Sequence, residues 1–269
     1  MSYLTFLDWA SKEDQHVGSV HFAEFHHPAD GPLTAAVKLF PSTPTHRGLI
    51  NEITGWLVAN ALELPQPKRA FLARIPLERL GPLRGWLREA AAGKSHWVGF
   101  CTQRLPGQSA ALAFHPDSLL SPALLTDVKG WAHLHPTIAL DEHIANTDRH
   151  LNNLRRLGRQ QYAVLDHDRL ATPNAHVRDW NLASVDANRQ YAHRLSDAIW
   201  PEGPGDRDYG ATQLCAGTHA NRLTEVLPEL QHWAYRLLPP AEAKAWTAFM
   251  QARAQVLEVL LAKRYRRLN

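Results

Sequence analysis

The sequence predicts an α+β chain in two lobes, the first mainly β and the second mainly helical. Three observations predict it. Strand patterns dominate up to Leu105 around one helical stretch, whereas beyond Gly107 strand patterns become scarce and helical spacing takes over. Between the two regimes stands Pro106-Gly107, a boundary signal. The expected division is 1–105 for the N-lobe and 106–269 for the C-lobe, together one domain.

The elements follow in order. Ser19 to Phe25 alternates apolar and polar positions, His26 to Gly31 is a turn, and Leu33 to Phe40 completes a hairpin. Ahead of it, Ser11 to Ser19 reads as a polar connection whose backbone amides suit phosphate. Leu49 to Leu62 carries Ile50, Ile53, Leu57 and Ala61 at helical spacing and is stopped by Pro65 and Pro67. Ala70 to Ile75 and Trp97 to Leu105 are strands, with a loop or short helix around Trp86 between them. Ser121-Pro122 opens a helix in the order cap then proline, with Leu124, Leu125, Val128, Trp131 and Ala132 on one face. After a break or restart at Pro136, a short loop leads to a hairpin of Leu154–Leu157 and Gln160–Leu165. The remainder is expected to be largely helical, ending in a stripe of Trp246, Phe249, Met250, Val256, Leu257, Leu260 and Leu261.

Composition bounds the chemistry. At 269 residues, with 45% hydrophobic content, the chain can bury a proper core. A net charge of +3 without a long basic run suits an anionic ligand, and direct nucleic-acid binding is not expected. Two cysteines, Cys101 and Cys215, are too few for a disulfide scaffold. Neither a leader at the N-terminus nor a membrane-length apolar run is visible, so a cytoplasmic protein is expected.

The chemistry-bearing stretch is His143 to Asn153. Asp148 and Asn153 stand five residues apart, the spacing of a phosphotransferase catalytic loop, where the acid takes a hydroxyl proton and the amide oxygen holds a divalent metal. Asp166 ends an apolar strand 13 residues beyond Asn153, where such loops keep their main metal ligand. Upstream, Lys38 lies in an apolar strand and Glu52 on the next helix, the arrangement of the ion pair that positions nucleotide phosphates. In a two-lobed nucleotide binder, Gln103, Arg104 and Leu105 would be the hinge that offers backbone groups to adenine, and Ser19 would belong to the phosphate-covering connection.

Three segments together resemble the HipA-like kinases, a branch of the protein-kinase-like superfamily related to phosphatidylinositol 3- and 4-kinases. They are Val37-Lys38-Leu39 with Asn51-Glu52 and Leu62 to Pro67, then Asn146-Thr147-Asp148-Arg149-His150 with Asn153, then Leu165-Asp166-His167. The resemblance implies a two-lobed protein-kinase-like fold and an ATP- and Mg2+-dependent serine/threonine kinase. It implies Lys38 on the ATP phosphates, Glu52 paired with Lys38, Asp148 as catalytic acid, and Asn153 and Asp166 on Mg2+. Asn146, Arg149 and His150 match supporting positions. Expected partners are ATP, a protein substrate and an antitoxin-like protein, with no membrane. HipA toxins are longer than this chain and carry an additional N-terminal subdomain. A pseudokinase or ATP-binding regulator and a lipid or small-molecule kinase stay open as alternatives. The sixteen histidines keep a zinc enzyme in view, although no H-E-x-x-H spacing occurs.

Overall fold

The computed structural model describes residues 9–17, 20–27, 31–40, 46–80, 85–110, 121–173 and 179–267. It divides into two compact units, Met1–Leu49 with Pro67–Leu105, and Ile50–Gln66 with Pro106–Asn269. The expected N-lobe ran unbroken from 1 to 105; here residues 50–66, with Glu52 among them, group with the later part of the chain.

The first unit is an antiparallel sheet of β1 (Trp9–Val17), β2 (Val20–His27), β3 (Gly31–Leu39), β4 (Ala70–Pro76) and β5 (His96–Gln103), ordered β1-β2-β3-β5-β4. Along β3 the period of two is explicit. Leu33, Ala35, Val37 and Leu39 are buried, whereas Thr34, Ala36 and Lys38 are half-buried. The buried face joins Phe25, Phe71, Ile75 and Trp97 in one core, with Phe25 edge-to-face on Phe71 at 5.0 Å. The polar stretch read as a connection is instead strand: Lys12 pairs with Ala23 and Glu13 with Phe22. An edge strand is hydrogen-bonded on one side only and tolerates charge that a central strand does not, which is why its pattern read as a loop. Gly18 and Ser19 lie outside the described residues, so the Ser19 expectation falls there. A 3-10 turn (Leu77–Leu80) and α2 (Gly85–Ala90) connect β4 to β5.

Helix α1 (Arg47–Ala61) runs into the second unit and is buried continuously from Gly48 to Ala59. A helix apolar or satisfied all round is an interior helix. Its polar residues are therefore bonded: Thr54 Oγ1 donates to Ile50 O at 2.7 Å and accepts from Trp246 Nε1 at 2.9 Å. Helix α3 (Pro122–Lys129) has the anticipated start, with Ser121 Oγ accepting from Leu124 N at 3.2 Å. It ends at Gly130, so the face expected to reach Trp131 and Ala132 is cut short. In α4 (Leu134–His143), Pro136 sits in the first turn, where its missing N–H costs no internal bond.

Three short strands, β6 (Gln108–Ser109), β7 (Leu154–Gly158) and β8 (Gln161–Val164), form the second sheet. From 165 to 193 the described residues form no helix, contrary to the expectation of a largely helical remainder. Helices α5 (Arg194–Ile199), α6 (Asp206–Ala216), α7 (His219–Leu237) and α8 (Pro240–Arg264) complete the unit. On α8 the expected stripe is buried at Trp246, Phe249, Met250, Leu257, Leu260 and Leu261 and half-buried at Val256. Among the described residues no helix is long and apolar enough to cross a membrane.

Candidate active site around Asp148

The loop after α4 is shaped by its own backbone. Ala145 turns left-handed (φ +53°), and Asn146 N returns to Asp141 O at 2.8 Å. Asn146 Oδ1 then accepts from Asp148 N at 3.1 Å, an Asx turn that a carboxamide or carboxylate side chain can make. Thr147 donates through both N and Oγ1 to Arg169 O, each at 3.0 Å, and Ala171 N donates to Ala145 O at 2.8 Å. These bonds lay the loop against residues 169–171. The five-residue spacing closes on itself, because Asn153 Nδ2 donates to Asp148 O at 2.9 Å. That bond orients the amide, committing its nitrogen and leaving Oδ1 as the acceptor end.

Arg149 is the centre of the assembly. It is wholly buried, and its Nε is shared between the Asp141 carboxylate oxygens at 3.2 and 3.1 Å. Burial pushes the Asp141 carboxyl up, while Arg149 and His193 pull it back down. The rest of the guanidinium reaches Asn153 O at 3.2 Å, Leu165 O, Asp166 O at 3.4 Å and His167 Nδ1 at 3.0 Å. One side chain thus joins the Asp148–Asn153 loop to the segment bearing Asp166. The planar five-donor fork of arginine suits this; a lysine ammonium cannot span it. Asp166 itself is left-handed (φ +64°), so its carboxylate is set by a backbone turn rather than by strand continuation.

Helix α1 fixes the same segment from another side. Glu52 Oε2 accepts from His167 N at 3.2 Å, and Asn51 Nδ2 donates to Asp168 O at 2.7 Å. Asn51 Oδ1 accepts from Trp180 Nε1 at 2.9 Å, and Trp180 stacks on Trp246 with centroids 4.7 Å apart. Glu52, expected as a lysine partner, anchors the backbone after Asp166. At Gly55 the helix passes so close that a Cβ would lie 2.1 Å from His167 Cγ.

Asp148 lies at the exposed rim. Its Oδ1 takes Arg194 Nη1 at 2.7 Å and its Oδ2 meets Arg169 Nε at 3.6 Å. Sequence reasoning missed both arginines. Arg194 is 46 residues away in the chain, and no local pattern ties it to the loop. Among the described histidines, His167 is held by Arg149, His150 Nδ1 accepts from Asn152 N at 3.2 Å, and His135 meets Asp208 at 3.1 Å. Among the described residues no three His, Cys, Asp or Glu side chains are grouped to hold a metal ion. Oxygen donors from Asn153 and Asp166 do suit Mg2+, which takes one or two protein oxygens and completes its shell with water and phosphate.

The remaining candidates lie in the first unit. Lys38 is on β3, opposite Val20 and Phe100. Gln103 N donates to Arg69 O and Arg104 N to Thr34 O, both at 2.9 Å. Arg104 also covers the Phe22 ring at 4.8 Å.

No family model and no curated protein matches the chain. Among solved structures it is similar to an apo pseudokinase, with a TM-score of 0.35 and 10% identity over 100% of this chain and 99% of the other. That likeness is too remote to assign a fold.

Proposed function

We propose that the chain is an ATP- and Mg2+-dependent phosphotransferase resembling the HipA-like serine/threonine kinases, with a protein hydroxyl as acceptor. The observation that carries this reading is the Asn153–Asp148 clasp, stitched by buried Arg149 to the segment of Asp166. A proton acceptor and two oxygen donors held by one rigid network are the parts that phosphoryl transfer demands, since positioning and charge stabilisation do most of the catalysis. Asp148 takes the proton of the acceptor hydroxyl as its oxygen bonds to the γ-phosphorus, and the bond to ADP breaks. Lys38 is assigned to the ATP phosphates, on a third strand where kinases carry that lysine. Asn153 Oδ1 and Asp166 would hold Mg2+, which supplies charge neutralisation on the phosphates. Arg149 and Glu52 keep the loops in register.

A second reading, an ATP-binding regulator without transfer, is favoured by one contact: the Arg194–Asp148 ion pair occupies an oxygen of the proposed proton acceptor. Incubation with Mg2+ and γ-labelled ATP, comparing wild type with Asp148→Asn, separates the two. The kinase reading expects labelled protein from wild type and a drop of at least about a hundredfold in the folded variant, the usual scale for losing a general base. Equal labelling by both would sink it, and Mg2+-ATP binding with no labelling in either would establish the regulator.

A further inference from the structure

At the rim of the Asp148 loop two cations share one carboxylate. Inside, Arg149 and Asp141 neutralise one another with both side chains fully buried. At the rim Asp148, 17% exposed, meets two guanidiniums, Arg169 at 36% and Arg194 at 44%. Both cations stand where an acceptor hydroxyl must arrive to meet Asp148.

The same unit contains a structural two-arginine cluster for contrast. Glu142 is fully buried between Arg253 at 3.0 Å and Arg264 at 2.6 Å. There the carboxyl is held below the usual range, because the two arginines outweigh the burial that would raise it. Arg253 also donates to the carbonyls of Glu142, His143, Ala187 and Arg189, which use up its donors. Arg169 and Arg194 are not so consumed. Among the described residues, Arg169 reaches Asp148 through Nε alone and Arg194 through Nη1 alone. Each guanidinium has five N–H donors, so most of both forks is available to a second anion, which arginine binds by paired N–H groups.

Resting on the phosphotransferase reading, we propose that the acceptor is an acidic peptide. Its serine or threonine is flanked by carboxylate side chains that Arg194 and Arg169 bind.

The test is a binding measurement on the full chain, independent of turnover. A fluorescent peptide with one serine between aspartates is compared with its lysine-flanked counterpart, using wild type, Arg194→Gln, Arg194→Lys, Arg169→Gln and Asp148→Asn. The acidic peptide is expected to bind at least about tenfold more tightly, and each Gln variant to lose about tenfold, the scale of one charge-assisted contact. Arg194→Lys keeps most of the affinity, and Asp148→Asn gains affinity because the competing carboxylate is gone. Opposite signs for Arg194→Gln and Asp148→Asn, in variants whose circular dichroism matches wild type, cannot come from unfolding. Equal affinity for the two peptides, or indifference to both Gln variants, overturns the proposal. Labelled-ATP transfer to the two peptides separates the two readings. Transfer without charge preference overturns only the acidic acceptor, whereas charge-selective binding without any transfer overturns only the kinase.

Discussion

Gly55→Ala sets two physical effects against one another. Gly55 lies inside α1, where replacing glycine by alanine stabilises an isolated helix by about 1 kcal/mol. In the folded chain the added Cβ would stand 2.1 Å from His167 Cγ, 2.3 Å from its Cβ and 2.5 Å from its Nδ1. Ordinary carbon contacts begin near 3.5 Å, so helix and segment must part by more than about 1 Å. The nearest atoms are at the root of the imidazole, so rotation of a flexible side-chain end cannot relieve the overlap. Overpacking of this kind costs about 1–3 kcal/mol, which leaves a net loss of about 0–2 kcal/mol after the propensity gain. The displaced residue is the one whose N–H is held by Glu52 and whose ring is held by Arg149, directly beside Asp166. On the proposed phosphotransferase reading, a misplacement of about 1 Å at the reacting centre costs roughly a hundredfold in rate. Urea unfolding together with Mg2+-dependent transfer measures both effects. A variant about 1 kcal/mol more stable than wild type, with unchanged transfer, would refute the close approach of α1 to this segment.

Other outcomes follow from the same network. Arg149→Met leaves Asp141 buried without its cation, and equilibrium unfolding should show a loss of about 3–5 kcal/mol; replacing Asp141 and Arg149 together by apolar residues should recover much of it. Stability should also fall with acid. His143 is buried and its pKa is lowered from 6.5 to about 4 by desolvation, with His219 lowered too. His143 Nε2 donates to Met250 O, so its Nδ1 accepts from His219 Nδ1 at 3.1 Å, and His219 Nε2 is left buried with no partner among the described residues. In that window the unfolded chain binds the proton and the folded chain does not. The contribution is therefore complete above pH 6.5 and is lost as pH falls toward 4, about 3 kcal/mol for His143 alone. Urea midpoints measured across that range check it, and His143→Asn should flatten the slope by about one proton.

Local pattern carried far in this chain. The period of two in β3 and the Ser121-Pro122 start appear where alternation and capping place them. So does the apolar stripe of α8, because burial of one face is written directly into residue order. Where several forces give the same residue types, the pattern was ambiguous. Ser11, Lys12 and Glu13 read as a loop yet pair as an edge strand, since an unpaired edge and a loop ask for the same polarity.

For the candidate site, the closure of Asn153 onto Asp148 was implied by their spacing, because one short turn of backbone sets the distance between residues five apart. Their environment was not. Arg194 comes to Asp148 from 46 residues away, Asn51 to Asp168 from 117, and Glu52 to His167 from 115. Such contacts depend on how separate elements pack, and spacing along the chain holds no record of that. Sequence alone singled out the residue types and spacings on which the proposed proton and metal chemistry rests. Only the tertiary structure decided that Arg149 is an interior staple, that Gly55 is a steric necessity, and that Asp148 shares its rim with two cations.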